Sequence, residues 1–146
     1  MDTKTPPEIT LFAADVSTAL ELPLFETGMH AGFPSPAEDF LELKIDLNEY
    51  MVRNPSATFY GRVNGDSMRD IGINEGDIAV IDRSLDLVNN KIALCYVDGG
   101  FTIKTVRMQN KECWLIPANA NFKPVQITEE NQFIVWGIVT FIIKKF

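Results

Sequence analysis

The chain has 146 residues and a mass of 16.4 kDa, which fits one domain of ordinary size. Its composition, with 46% hydrophobic and 23% charged residues, is typical of a globular protein and excludes a disordered or fibrous one. A net charge of −7 argues against direct binding to duplex DNA, which needs a basic face. The two cysteines lack CxxC spacing, so we expect neither a disulfide scaffold nor a zinc site.

The N-terminus and the apolar segments carry no sign of a membrane or of secretion. The first residues are acidic and rich in proline, unlike a signal peptide. The longest apolar stretch, 133–143, has 11 residues, whereas a membrane helix needs about 20. We therefore expect a cytoplasmic protein with no membrane contact.

The first predicted segment is an acidic arm. Residues 1–31 contain five acidic residues and one basic residue, and prolines and a glycine interrupt them. This composition predicts an extended or partly ordered arm and no folded domain. A loop follows at 31–36, where a glycine and two prolines lie close together.

A short helix is predicted at 46–52. Asp46 can cap it, and Glu49 stands three residues later, as in a capping box. Asn54 and Pro55 end the helix.

The rest of the chain has a β pattern. About seven short apolar segments alternate with turn residues, and an Asp-Gly-Gly sequence at 98–100 indicates a hairpin. We predict a mainly β domain entered through the short helix. The apolar 133–143 strand also suggests burial against a second copy of the chain. The predicted strands are 58–63, 77–82, 91–97, 101–106, 113–116, 125–127 and 133–143.

Ser67 is a candidate nucleophile. It lies in the sequence Gly65-Asp66-Ser67-Met68, between a predicted strand and a turn-rich segment. A serine in such a turn can expose its hydroxyl, while the backbone N–H of Asp66, Ser67 or Met68 faces a developing oxyanion. Taken alone, the tetrapeptide favours the simpler interpretation, a turn serine that bonds to its own backbone.

A nucleophilic serine needs a base, and the only histidine, His30, lies in the arm. Ser-Lys pairs are the known alternative. A lysine accepts a proton only when neutral, a state that burial among apolar groups favours. Lys104 is the strongest candidate because its strand, 101–106, is largely apolar. The strand pattern alone fits a solvated lysine better.

The turn-rich stretch around Ser67 is also acidic. The spacing of its carboxylates does not match an EF-hand loop, so we predict a solvated surface. We expect no metal ion and no cofactor. The acidic residues are Asp66, Asp70, Glu75, Asp77, Asp82 and Asp86.

Eight short motifs follow one another along the chain: AGFPSP at 31–36, NPSAT at 54–58, GDSM at 65–68, GI at 72–73, GD at 76–77, DG at 98–99, FTIK at 101–104 and LIPAN at 115–119. Taken in this order, they resemble the UmuD-type SOS mutagenesis proteins of the LexA-type self-cleaving serine peptidases. Each motif is a weak signal, but the ordered set is specific and covers roughly Leu22 to the C-terminus. The 37-residue separation of Ser67 and Lys104 also agrees.

The resemblance implies a LexA/UmuD C-terminal-like β domain and a specific reaction. Ser67 would attack the Ala31–Gly32 bond, with neutral Lys104 as the general base. Cleavage would remove a regulatory arm, residues 1–31, from a peptidase and dimerisation domain, residues 32–146.

The resemblance also implies partners. A RecA filament on single-stranded DNA would stimulate cleavage. The shortened homodimer would then join a UmuC-like error-prone polymerase subunit for translesion synthesis.

Two features depart from the UmuD pattern. Ala31 stands where many UmuD proteins have Cys, and the segment before Leu22 is longer than expected. The alternative function is therefore a non-catalytic β scaffold that regulates a DNA polymerase by protein contact. A type I signal peptidase uses the same chemistry but normally has a membrane anchor.

Overall fold

The computed structural model describes residues 9–25, 31–32 and 42–146. The chain forms two compact units. The first unit, called the body, comprises Met1–Ala14 and Asn54–Phe146. The second, called the arm unit, comprises Asp15–Arg53 and therefore shares only residues 15–31 with the predicted arm, residues 1–31. His30 and the loop residues 33–36 lie outside the described residues. The predicted division at Ala31–Gly32 would be made by cleavage, and it remains a prediction.

The described residues are mainly β, as the sequence predicts, and all seven predicted strands are present. In the part of the chain that the structure describes, one α-helix and two 3-10 turns, Pro55–Ala57 and Arg69–Ile71, accompany the strands. In chain order the elements are β1 (Ile9–Ala13), β2 (Glu21–Phe25), β3 (Glu42–Asp46), α1 (Leu47–Met51), β4 (Thr58–Val63), β5 (Ile78–Asp82), β6 (Lys91–Val97), β7 (Gly100–Gln109), β8 (Glu112–Ile116), β9 (Val125–Ile127) and β10 (Phe133–Ile143).

The body contains an eight-stranded sheet with the order β1-β4-β5-β10-β6-β7-β8-β9. All neighbouring strands pair antiparallel. Residues on both faces of the central strands are buried, since Leu94 and Ile103 belong to one apolar cluster while Ala93, Cys95 and Val106 belong to another. A strand residue in this region therefore meets apolar side chains whichever face it occupies.

β10 lies inside the sheet, with β5 on one side and β6 on the other. Both of its edges are paired, so its apolar composition follows from its central position. Its sequence gives no separate support for a dimer, and the homodimer remains a prediction.

The arm unit contains a two-stranded sheet, in which β2 pairs with β3, followed by α1. Asp46 caps α1 as predicted, and its carboxylate accepts a hydrogen bond from the Asn48 backbone N–H at 2.9 Å. Of the described residues, Glu49 makes no hydrogen bond to the Asp46 N–H, so the second half of the expected capping box is not formed.

The N-terminal arm holds more regular structure than its composition indicates. β1 and β2 both lie within residues 1–31 and are paired, β1 with β4 and β2 with β3. Each strand has five residues, which is too short for its alternation to stand out among prolines and acidic residues.

The prediction of a solvated acidic surface is wrong for two residues. Asp77 and Asp82 flank β5 and are only 6% and 5% exposed. Asp77 accepts a hydrogen bond from the Asn74 N–H and forms an ion pair with Lys144. Carboxylates at strand ends are buried here because nearby N–H groups and a cation satisfy them. Asp66, Asp70, Glu75 and Asp86 are exposed, as predicted.

Two further findings concern the described residues. No helix in this part of the chain is long and apolar enough to cross a membrane. No group of three or more His, Cys, Asp or Glu side chains within residues 9–25, 31–32 and 42–146 is arranged to hold a metal ion.

Candidate active site

The Ser67 loop begins where β4 ends. Gly65 turns the chain there with a φ of +90°, a conformation that costs a residue with a side chain about 1–2 kcal/mol. Met68, next to the serine, is 2% exposed and belongs to the same apolar cluster as Ile103. The turn thus brings Ser67 to the sheet, and the burial of Met68 holds it there.

The segment after β8 fixes the backbone on both sides of Ser67. The Ala118 N–H donates to the Ser67 carbonyl at 2.8 Å, and the Asp70 N–H donates to the Ala118 carbonyl at 2.7 Å. The side-chain amide of Asn119, which is 4% exposed, donates to the Asp66 carbonyl at 2.9 Å. The LIPAN motif therefore anchors the loop that carries the serine.

These bonds also orient the predicted oxyanion donors. In a trans peptide the N–H points away from the carbonyl of the preceding residue, and the described residues contain no cis peptide. Since the carbonyls of Asp66 and Ser67 face the 118–119 segment, the N–H groups of Ser67 and Met68 face away from it. The Asp66 N–H is not oriented by these contacts.

Lys104 extends from β7 among apolar neighbours. Its cross-strand partner is Ala93, and strand alternation places it on the same face as Val106. Cys95, the cross-strand partner of Thr102, also lies on this face. Ala93, Cys95 and Val106 are all 0% exposed. The apolar surroundings expected from the sequence are present, and Lys104 itself is half-buried.

The structure brings Ser67 and Lys104 together. The Lys104 Nζ lies 2.9 Å from the Ser67 Oγ, 2.6 Å from the Thr102 Oγ1 and 3.1 Å from the Ile103 carbonyl oxygen. Ser67 is 7% exposed, so water has little access to this contact. A buried hydroxyl beside an amine within hydrogen-bond reach is the arrangement that general-base activation of a serine requires.

The contacts with Ser67, Thr102 and Ile103 can be made by an amine in the neutral form that a general base requires. A neutral amine has two N–H groups and one lone pair. The Ile103 carbonyl can only accept a hydrogen bond, and the Thr102 hydroxyl can accept the other. The remaining contact joins the Lys104 Nζ to the Ser67 Oγ at 2.9 Å, and across it a neutral amine can accept the hydroxyl proton, so the geometry can support proton transfer from serine to lysine.

Two residues of this arrangement were not predicted as site residues, Thr102 and Asn119. Strand alternation already places Thr102 on the face of Lys104, so its proximity could have been predicted. No pattern within the sequence indicates that Asn119 reaches the Asp66 carbonyl. The predicted cleavage residues, Ala31 and Gly32, belong to the arm unit and are exposed.

The cysteines do not offer a competing nucleophile. Both are thiols outside any disulfide, and Cys95 is buried. Burial raises the pKa of the Cys113 thiol, which disfavours the reactive thiolate at neutral pH. Among the described residues, the serine is thus the better nucleophile candidate.

A family model and several curated proteins match the amino-acid sequence of this chain. The model of the family described as Peptidase S24-like matches residues 23–140. Protein MucA of Escherichia coli is 36% identical over 129 residues, which cover 88% of each chain. Protein SamA of Salmonella typhimurium strain LT2 is 40% identical over 123 residues, covering 84% of this chain and 85% of SamA. Protein ImpA of Shigella flexneri is 36% identical over 123 residues, covering 84% of this chain and 83% of ImpA.

The matched region contains Ser67, Lys104, the loop around the serine and the segment that anchors it. The family is one of serine peptidases, and the resemblance inferred from the ordered motifs is confirmed. The chain belongs to the Peptidase S24-like family, among its UmuD-type SOS mutagenesis proteins.

Proposed function

We propose that this protein is a self-cleaving Ser-Lys peptidase that cuts its own Ala31–Gly32 bond. The observation that carries the proposal is the 2.9 Å contact between the Lys104 Nζ and the Ser67 Oγ. Family membership supports the peptidase chemistry, and the exposed Ala31 and Gly32 support the choice of bond, since a buried peptide bond is protected.

In the first step, neutral Lys104 removes the proton of the Ser67 hydroxyl as the Oγ attacks the Ala31 carbonyl carbon. The carbonyl π electrons move to oxygen and give a tetrahedral oxyanion. The N–H groups of Ser67 and Met68 are the oriented donors for this charge. One donor of this kind typically contributes about 10²–10³ in rate.

In the second step, the Lys104 ammonium donates its proton to the Gly32 nitrogen as the Ala31–Gly32 bond breaks. This leaves an ester between Ser67 and Ala31 and restores the neutral amine. A water molecule, deprotonated by Lys104, then attacks the ester carbonyl carbon. As the bond to the Ser67 Oγ breaks, the Lys104 ammonium returns the proton to that oxygen, and the Ala31 carboxyl group leaves and ionises to the carboxylate. One lysine thus acts as base and then as acid in each half of the reaction.

Thr102 and Asn119 have supporting roles in this mechanism. Thr102 orients the amine, because its hydroxyl holds one N–H of Lys104. Asn119 holds the Asp66 carbonyl and thereby directs the Ser67 N–H. Both are positioning residues, since neither contacts the reacting atoms of the substrate.

The test is a self-cleavage assay on the purified full-length chain. Incubation between about pH 7 and 10 should release an N-terminal fragment ending at Ala31, identified by mass spectrometry. The rate should rise with pH, because only the neutral amine of Lys104 accepts the serine proton. Ser67→Ala and Lys104→Ala should each abolish the fragment.

Two exposed residues provide matched controls. Ser56→Ala and Lys91→Ala remove the same chemical groups from exposed positions and should leave the rate unchanged. Undiminished cleavage in Ser67→Ala, or a fragment ending elsewhere, would falsify the mechanism. Partner binding without cleavage at any pH would favour the alternative, a non-catalytic scaffold that regulates a polymerase.

We further propose that the protein acts in the cytoplasm as a homodimer. A RecA filament on single-stranded DNA stimulates its cleavage, and the shortened form then joins a UmuC-like error-prone polymerase subunit. This setting is what the resemblance to UmuD-type SOS mutagenesis proteins implies. Self-cleavage should be faster in the presence of the RecA filament than in its absence. Sedimentation of the chain at micromolar concentration should give twice the monomer mass of 16.4 kDa. Equal cleavage rates, or a monomer alone, would contradict the respective part.

A further inference from the structure

β1 belongs to the body, although it precedes the proposed cleavage point by many residues. It forms the edge of the eight-stranded sheet and pairs with β4 over five residues, from Ile9 opposite Val63 to Ala13 opposite Phe59. The Ala14 N–H adds a hydrogen bond to the Thr58 carbonyl at 3.3 Å. β1 and Ala14 accordingly belong to the body and not to the arm unit.

A notch in β4 receives the first residue of β1. Ile9 is 3% exposed and lies against Gly61. A Cβ atom at Gly61 would lie 2.3 Å from the Ile9 Cδ1 and 2.7 Å from its Cγ1, closer than real carbon atoms approach. The missing side chain of Gly61 is therefore what makes room for Ile9.

The two faces of β1 differ. Ile9 and Leu11 pack on the apolar cluster that also contains Met68 and Ile103, whereas Thr10 is exposed and Phe12 is 50% exposed. The strand thus has both backbone pairing and an alternating apolar face, the two features by which an extended peptide binds a sheet edge.

We propose that the β4 edge is a strand-docking groove that retains the excised arm, residues 1–31, as a separate chain after the Ala31–Gly32 bond is cut. This inference rests on the proposed function, since it concerns the product of that cleavage. Hydrolysis of one peptide bond removes none of the β1–β4 hydrogen bonds and does not expose Ile9. Cleavage and release of the arm are then two separate steps.

Release of the arm uncovers an unpaired strand edge. β4 would present free backbone N–H and C=O groups together with the empty notch at Gly61. The partner that fits this surface is an extended segment with aliphatic side chains at alternating positions, as in β1 itself. After β1 has left, the body could therefore pair with another extended segment at the β4 edge.

The experiment separates cutting from release. A full-length chain with Ser67→Ala and a thrombin recognition sequence inserted before Ala31 is cut by thrombin and then analysed by native size exclusion and mass spectrometry. The arm fragment should elute with the body. Ile9→Ala should speed its dissociation at least about tenfold, because a buried aliphatic side chain is lost. Phe12→Ala, an exposed position on the same strand, should not.

A change on the other side of the groove provides a second test. Gly61→Val fills the notch without altering the arm and should also release the fragment. Deuterium exchange on the uncut chain should show protected β1 amides in the parent and fast exchange in Gly61→Val. A parent fragment that dissociates as fast as the Ile9→Ala fragment, or unprotected β1 amides, would overturn the proposal. Because thrombin makes the cut, a failure of self-cleavage in the parent chain would not affect this result.

Discussion

Thr102 shares the amine of Lys104 with Ser67. Its Oγ1 accepts a hydrogen bond from the Lys104 Nζ at 2.6 Å, shorter than the 2.9 Å contact with the serine. After proton transfer the amine is charged, and a hydrogen bond to a charged group contributes about 1.5–3 kcal/mol. The threonine hydroxyl therefore both orients the neutral amine and stabilises the charged one.

Thr102→Val keeps the shape of the side chain and removes the hydroxyl. We expect self-cleavage to slow by about 10–100-fold, because the amine loses an acceptor that it uses in both charge states. The measurement is the cleavage rate across the pH range of the parent assay. Thr102→Ser, which keeps the hydroxyl, should restore most of the rate. A valine variant as fast as the parent would exclude this role.

How well individual residues could be predicted depended on how far apart in the chain their partners lie. The resemblance identified Ser67 and Lys104, and the structure brings their side chains together across 37 positions. Thr102 is two residues from Lys104, so the strand period already related them. Asn119 reaches the Asp66 carbonyl from 53 positions away, and only the folded chain reveals that contact.

The end of β5 is held by a network around Asp82. Its carboxylate accepts hydrogen bonds from the Ser84 N–H at 2.8 Å, the Ser84 hydroxyl at 2.6 Å and the Asn54 side-chain amide at 3.1 Å. Burial acts to raise the pKa of Asp82, but these hydrogen bonds outweigh it and keep the pKa below its ordinary value of 3.8. The network links β5 to Asn54, where the second segment of the body begins.

A lowered pKa in the folded state adds stability that is fully present above the unfolded-state value and is lost as the pH falls through the folded-state value. Asp82→Asn should therefore lower the free energy of unfolding by about 1–3 kcal/mol at neutral pH. The difference from the parent should narrow as the pH falls below 3.8, the ordinary pKa of this carboxyl group. Urea unfolding followed by tryptophan fluorescence measures both. Asp86→Asn, at an exposed position, is the control. A gap that stays constant with pH would contradict this origin of the stability.

At the level of elements, the predicted strands were those with apolar runs or turn signals around them. All seven have partners in the sheet, and Asp46 marked the start of α1. β1, β2 and β3 escaped prediction for a physical reason. Their extended form comes from pairing with another strand, and their own five-residue patterns are too short to indicate it.

The molecule as a whole combines a well-packed sheet with a smaller unit of different character. β10 has a neighbour on each edge, and its neighbours β5 and β6 contain side chains that are 0% exposed. The arm unit has a sheet of two strands, and Leu22 and Leu24 on β2 are 44% and 38% exposed. A two-stranded sheet is marginally stable by itself. The division into these units depends on which strands pair, for example β1 with β4. The order of the strands along the chain does not show these pairings, so the division could not be predicted from the sequence.

This contrast predicts unequal local stability. In the full-length Ser67→Ala chain, which should not cut itself, the amides of β2 and β3 should exchange with deuterium at least about 100-fold faster than those of β10, because their opening disrupts fewer buried contacts. Mass spectrometry of peptides from each strand measures the rates, and β6 serves as the internal reference. The proposed cleavage would benefit from this difference, since the Ala31–Gly32 bond lies in the chain between β2 and β3, and opening of that strand pair frees the chain at both ends of the connection. Equal protection of β2, β3 and β10 would mean that the arm unit opens no more easily than the sheet, and self-cleavage would then need a partner to open it.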